Sequence, residues 1–305
     1  MNTETDLRAF LQRHCLPPSF EETANAWYLP LAGQLALHHA TADRPLLIGL
    51  NGSQGSGKST VAALLVQLLT DVHTLRAIDL SIDDFYLSRR SRQALAEQVH
   101  PLLATRGVPG THDVSLLLET LQQLTAANTA VAVPRFDKAS DNRLPASEWQ
   151  RVAAPFDVVI LEGWCMGTSP QSDEALHAPV NDLEANEDPD GSWRRYVNRQ
   201  IRERYQALYD LMDLWIMLQA PSFECVYGWR RQQETRLAES LLEQDRGVYS
   251  KTRVMSDPQL SRFVQHYQRL TEHALAELPG RVHYLFRLDP ERRILALQQP
   301  LAVSL

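Results

Sequence analysis

Cysteine is scarce in this 305-residue chain, and the three present, Cys15, Cys165 and Cys225, form no Cys-x-x-Cys pair. That excludes a disulfide framework and the ligand spacing of a structural zinc site. It fits reduced thiols in a cytoplasmic protein. Basic residues are not in excess: 30 Lys and Arg face 37 Asp and Glu, a formal charge of -7. Such a balance argues against a nucleic-acid-coating surface and against an anionic membrane surface, but it leaves room for a local phosphate pocket. No apolar run approaches the length of a membrane span. The opening MNTETDLRAF is acidic and lacks the apolar core of a signal peptide. Internal repeats and low-complexity tracts are absent. The expectation is a cytoplasmic globular protein with neither nucleic acid nor membrane as partner.

What the chain does have is Leu46–Thr60, LLIGLNGSQGSGKST. An apolar run precedes Gly52-x-x-x-x-Gly57-Lys58-Ser59, and Val61, Leu64, Leu65, Leu68 and Leu69 follow at helical spacing. A strand, a glycine-rich turn and a helix are the context that makes this motif a P-loop. The glycines let the backbone curl until successive N–H groups face phosphate oxygens, and the helix adds its positive end. Gly52, Ser53, Gln54, Gly55, Ser56, Gly57, Lys58, Ser59 and Thr60 are the candidate cradle of a nucleoside triphosphate. Lys58 is placed to reach the β- and γ-phosphates, and the Ser59 hydroxyl to ligate Mg²⁺.

Further buried strands are predicted at Ala77–Ile82, Phe156–Leu161, Leu214–Leu218 and Val282–Leu288, alternating with helices. Helices are expected over 4–14, 31–40, from Trp193 to about Met212, from about Ser222 to Gln244, and over Asp257–Leu278. This pattern predicts an α/β fold: a central, mostly parallel five-stranded sheet flanked by helices. A helical extension over 1–44 precedes the main domain of 45–305. Within that domain, 88–112 reads as an irregular excursion, Ala130–Val133 as a short strand or edge, and 134–151 as a loop. Residues 168–192 hold seven Asp and Glu, no Lys or Arg, and three prolines. They read as an exposed, solvated loop rather than a metal site.

Two strand ends carry carboxylates. Ser81–Leu87, SIDDFYL, sets Asp83 and Asp84 at the end of a core strand, where α/β sheets place their ligands. Asp83 is the candidate base for a hydroxyl proton, and Asp84 either assists it or caps the following turn. Val158–Trp164, VVILEGW, ends in Glu162, which resembles a Walker B acid touching Mg²⁺ directly or through water. In RGVPGTHD, Arg106, His112 and Asp113 either converge on a polar substrate or mark a capped helix start. In PRFDKASDNR, Arg135, Asp137, Lys138 and Arg143 either line an anionic pocket or belong to a solvated loop. In YGWRRQQETRL, Arg230 or Arg231 is a candidate lid arginine that neutralises the transferring group; the alternative is surface pairing such as Arg230 with Glu234.

Taken in order, GSQGSGKST, SIDDFYL, RGVPGTHD, RFDKASDNR, VVILEGW, APSFECVYGWRRQQE and MSDPQLSRFVQHYQRL resemble D-glycerate 3-kinase of the plant and fungal type and its bacterial relatives. Those enzymes sit in the uridine kinase, pantothenate kinase and phosphoribulokinase group of P-loop kinases. The resemblance covers roughly residues 45–287. It implies a P-loop kinase with ATP and Mg²⁺ as cofactors, bound through Lys58, Ser59 and Glu162, and Asp83 as base. It also implies a substrate excursion over about 88–151, a lid over about 222–256, and a small hydroxylated acceptor. D-glycerate, phosphorylated at its 3-hydroxyl, is the leading acceptor; Tyr86, Arg106, Arg135, Lys138 and Arg143 are candidates to meet it. Uridine or pantothenate is the alternative, with Phe85, Tyr86 and Phe136 as a possible aromatic platform.

A nucleotide-dependent switch or assembly ATPase is the reading from another class. A guanine-reading switch carries Asn-Lys-x-Asp at a strand end. After Leu214–Leu218 this chain has Gln219-Ala220-Pro221 instead.

Overall fold

The computed structural model describes residues 7–42, 44–244 and 255–301. Residues 4–6 of the predicted first helix, and 245–254 of the expected lid, lie outside the described residues. Helices α1 (Leu7–Arg13), α2 (Phe20–Thr23) and α3 (Leu29–Thr41) come first, the last two joined by π-helical Ala24–Tyr28. Next are β1 (Leu46–Gly52), α4 (Lys58–Asp71) and β2 (Ala77–Ser81), which leads through the 3-10 turn Ile82–Phe85 into α5 (Arg89–Gln98) and α6 (Val114–Ala126). Short strands β3 (Ala130–Val133), β4 (Phe136–Asp137), β5 (Asn142–Arg143) and β6 (Gln150–Ala153) occupy the segment read as an edge and a loop. Then come β7 (Val158–Gly163), α7 (Asp182–Glu187) and one helical run made of α8 (Ser192–Gln200), π-helical Ile201–Tyr205 and α9 (Gln206–Tyr209). The chain closes with β8 (Leu214–Gln219), α10 (Phe223–Gln244), α11 (Asp257–Glu277), β9 (Tyr284–Leu288) and β10 (Ile294–Gln298).

The main sheet runs β10-β9-β8-β1-β7-β2. The five expected strands are all there and parallel to their neighbours, but a sixth, β10, pairs antiparallel with β9. Its turn is set locally: the Asp289 carboxylate accepts from Arg293 N at 2.8 Å and Nε at 2.6 Å. No helix among the described residues is long and apolar enough to cross a membrane.

Register fixes where chemistry can happen. Leu50 and Ser81 both sit opposite Glu162, one on each side of β7. The turn after β1, the acid on β7 and the acids after β2 therefore emerge side by side at one edge of the sheet, the usual ligand edge of such sheets.

Side chains along β7 alternate between two cores. Val158 and Ile160 face one side, Val159 and Leu161 the other. The first core holds the buried face of α4 (Val61, Leu64, Leu65, Leu68) together with Phe10, Tyr28, Leu31 and Leu35 from the N-terminal helices. Burying each such large apolar side chain is worth about 1.5–3 kcal/mol, so residues 7–41 belong to the core of the sheet. Tyr28 packs on Phe286 with ring centroids 5.5 Å apart. The second core is built by α6 (Leu117, Leu121, Leu124) and the run Val197, Ile201, Tyr205 and Leu208.

The acidic stretch 168–192 is largely exposed, as its composition suggests, but two of its acids are buried. Glu184 is 1% exposed and receives the Arg269 guanidinium in two hydrogen bonds, at 2.7 and 2.6 Å. Asp188 is 0% exposed; it accepts from Trp193 N at 2.8 Å and Arg194 Nη1 at 2.9 Å, satisfying a first-turn N–H of α8 from outside the helix. The basic partners come from outside the stretch, so its local charge did not reveal them.

Candidate active site

The P-loop is built by β1 and α4 with a turn only glycine accommodates well. Gly57 is the N-cap of α4 with φ at 93°, a left-handed backbone. A Cβ at Gly52 would lie 2.5 Å from Ser56 Oγ. Ser53 and Ser56 bury hydroxyls that have no hydrogen-bond partner within the protein. Asn51 Nδ2 donates to the carbonyls of Trp164 (3.2 Å) and Met166 (2.7 Å), tying the segment after β7 to β1.

Three candidate residues meet over this loop. Ser59 Oγ donates to Glu162 Oε1 at 2.7 Å, and Lys58 Nζ is 3.7 Å from Glu162 Oε2. Glu162 is 2% exposed, and its Oε2 receives no hydrogen bond. A hydroxyl beside a buried carboxylate oxygen short of donors is the pair of hard oxygens that Mg²⁺ takes alongside phosphates and waters. Thr60 follows in the first turn of α4.

Asp83 enters from the 3-10 turn after β2. Tyr86 Oη donates to its Oδ1 at 2.9 Å and Lys138 Nζ to its Oδ2 at 2.9 Å. Burial alone would raise this carboxyl, but the Lys138 and Lys58 ammonium groups and the two hydrogen bonds outweigh it, so it ionises well below the usual carboxylate range. The Tyr86 hydroxyl is pushed well above the phenol range, first by burial and then by Asp83, and stays a donor.

Lys58, Ser59, Glu162 and Asp83 open on one cavity of about 270 Å³. Gln54 and Gly55 border it on the P-loop side, and Arg106, Lys138 and Arg230 bring positive charge. Trp164, Phe263 and Tyr267 supply an aromatic wall. Arg106 is paired with Asp141 and lies 5.5 Å from the centre of the Phe136 ring; Arg230 is paired with Glu234 and lies 5.6 Å from that of Phe263.

Other sequence candidates stand behind the cavity wall. Asp84 accepts from Arg135 at 2.7 Å and from Phe136 N at 3.1 Å, so these two candidates satisfy each other. Asp113 caps α6 through Leu116 N at 3.2 Å and pairs with Arg143 at 3.0 Å. Asp137 holds the β4–β5 turn through Ala139 N and Ser140 N. His112 is buried, stacked on Tyr86 at 4.5 Å, with Nδ1 2.6 Å from Tyr205 Oη. Arg231 is exposed and does not border the cavity. Phe85 is 0% exposed and Phe136 9%, so neither offers an open platform. Arg135 and Arg143 are thus paired with Asp84 and Asp113 rather than set in the cavity lining, and His112 turns Nδ1 to Tyr205 while its buried Nε2 has no hydrogen-bond partner.

Sequence reasoning missed the cavity roles of Ser81, Trp164, Gln233, Phe263 and Tyr267. Phe263 and Tyr267 lie one helical turn apart on α11. Their spacing was visible, but it is also the spacing of two core-facing aromatics.

A mostly parallel sheet carrying a P-loop, with acids at two neighbouring strand ends, has the architecture of a P-loop kinase. Residues 47–232 match the model of the phosphoribulokinase / uridine kinase family, and the chain belongs to that family. It is thus a phosphotransferase of a nucleotide-using group. An uncharacterised kinase of Schizosaccharomyces pombe is 32% identical over 251 residues, 79% of this chain and 84% of that protein. The chloroplastic D-glycerate 3-kinase of Arabidopsis thaliana is 29% identical over 259 residues. That match takes in 79% of this chain and 52% of the plant protein, so this chain spans about half of it. Among solved structures, a D-glycerate 3-kinase from Cryptococcus neoformans superposes with a TM-score of 0.72 at 25% identity, covering 93% of this chain and 99% of that one.

Proposed function

We propose that the protein transfers the γ-phosphoryl group of ATP to a hydroxyl of a small hydroxy acid, with D-glycerate giving 3-phosphoglycerate as the leading case. The observation that carries this reading is the meeting of Asp83, the P-loop and three cationic side chains, Arg106, Lys138 and Arg230, in one small cavity. A carboxylate-bearing acceptor needs fixed positive donors at one end and a base at the other. The likeness to two proteins described as D-glycerate 3-kinases supports the choice of acid.

In this reading Lys58 holds the β- and γ-phosphates, and Ser59 and Glu162 hold Mg²⁺. The ion supplies charge neutralisation on the phosphates when bound. Arg106 and Lys138 orient the acceptor's carboxylate. Asp83, already ionised, orients the acceptor hydroxyl and takes its proton as the bond to phosphorus forms. Arg230 neutralises charge on the transferring group. The setting is the cytoplasm, in keeping with three scattered cysteines.

The test is ADP release by the purified protein with D-glycerate, L-glycerate, uridine, pantothenate and ribulose 5-phosphate side by side. Turnover on D-glycerate above the others is expected. Turnover on uridine or pantothenate with none on D-glycerate overturns the acceptor and moves the chain to another branch of its family.

A further inference from the structure

The two donors on Asp83 differ in freedom. Tyr86 is buried, held between the His112 ring and an edge contact with Phe136 at 5.2 Å. Lys138 has a side chain 62% exposed and projects from the turn between β4 and β5. That turn is itself anchored: Asp137 caps its backbone, and Asp141 is bound by Arg92 at 2.8 Å and by Arg106. A lysine side chain can therefore swing while its turn stays in place. Each of the cavity's other cations has a carboxylate other than Asp83: Glu162 for Lys58, Asp141 for Arg106 and Glu234 for Arg230. Lys138 instead spends its charge on the residue proposed as base.

An ammonium at 2.9 Å both weakens that carboxylate as a proton acceptor and crowds the approach to Oδ2 from the cavity. We propose that Lys138 is a charge-operated latch on Asp83. With no acceptor bound, it keeps Asp83 from activating water against ATP. The carboxylate of an acceptor draws the ammonium off Oδ2 and frees Asp83 for the acceptor's hydroxyl. The hydroxyl oxygen then bonds to the γ-phosphorus, the bond to the β–γ bridging oxygen breaks, ADP leaves and the proton passes to Asp83. With water in the acceptor's place the same exchange yields ADP and inorganic phosphate, the reaction that the latch suppresses. The latch rests on the reading of Asp83 as base and of the acceptor as an anion.

The experiment measures ATP hydrolysis without acceptor in wild type, K138Q, K138R and the double variant D83N/K138Q. K138Q should hydrolyse ATP about tenfold faster than wild type, part of the 10²–10⁴ that a placed base supplies. K138R keeps the cation and should therefore show less of the gain than K138Q. D83N/K138Q should lose the gain, because the gain runs through Asp83. Propionate, a carboxylate without a hydroxyl, should raise wild-type hydrolysis severalfold and leave K138Q unchanged. An unaltered rate in K138Q, a gain that survives D83N, or no response of wild type to propionate overturns the latch. The variant rates contain no acceptor. A failure of D-glycerate as substrate would therefore overturn the acceptor reading separately, leaving K138Q and D83N/K138Q to decide whether Lys138 restrains Asp83.

Discussion

The Ser59 hydroxyl donates to Glu162 Oε1 across 2.7 Å, joining the first turn of α4 to the end of β7. Lys58 lies 3.7 Å from the other oxygen of the same carboxylate. One acid thus faces both a cation and a hydroxyl at the mouth of the P-loop. Glu162→Gln should raise the Mg²⁺ concentration for half-maximal rate by about 10–100-fold, the range for losing a group that holds or orients a metal. Titrating Mg²⁺ at fixed ATP checks this. An unchanged Mg²⁺ dependence counts against any metal role for Glu162.

Asp83 and Asp84 are adjacent in sequence and opposite in fate. Asp83 borders the cavity, while Asp84 is occupied by Arg135 and Phe136 N. Asp83→Asn should lower kcat by about 10²–10⁴ with ATP affinity little changed. Asp84→Asn should keep kcat within a few-fold and cost about 1 kcal/mol of stability through a part-exposed ion pair. Steady-state kinetics of both variants decide the matter, and a dead Asp84→Asn beside an active Asp83→Asn reverses the assignment.

The arginine pair in α10 separates by direction. Arg230 borders the cavity and is paired with Glu234; Arg231 is exposed. Arg230→Ala should reduce kcat by about 10²–10³, as for other donors aimed at charge that develops in the transition state. Arg231→Ala should leave kcat and thermal stability near wild type. Equal losses in both variants would show that the effect is not transition-state contact by Arg230.

The centre of the sheet was legible because β1, β7 and β8 are largely buried on both faces and read as apolar runs, as in Val158–Leu161 and Leu214–Leu218. β10 was not. It is an edge strand with no fully buried residue, and a charged turn precedes it. The P-loop, Asp83 and Glu162 were legible because each sits where the chain must turn at a strand end, and register then brings them together. The excursion was harder. Its polar residues form pairs such as Asp113 with Arg143 and Asp84 with Arg135, joining positions 30 and 51 apart, which only the folded chain identifies. The same applies to Glu184 and Arg269.

Two buried histidines make the fold sensitive to mild acid. Burial lowers His112 from 6.5 to about 4, and it lowers His266 to about 4 as well. His14, His38, His273 and His283 are lowered in the same direction, each chiefly by burial. A histidine with a depressed native pKa makes no difference to stability above its unfolded value, because both states are neutral there. Below about pH 6.5 the unfolded chain binds the proton and the native chain does not. Stability is therefore lost as pH falls from about 6.5 to about 4, by about 3 kcal/mol for each of the two deeply buried rings. Carboxylates held low in the native state, such as Asp83, add their own loss only near and below their unfolded value of 3.8. The midpoint of thermal unfolding should thus stay level above pH 6.5 and drop toward pH 4, with Asp79, whose carboxyl burial raises, opposing part of the loss. His112→Gln or His266→Gln should flatten part of that slope even if it lowers the plateau. A wild-type midpoint that stays constant from pH 6.5 to pH 4.5 would mean that these rings take up protons in the folded state as readily as in the unfolded one.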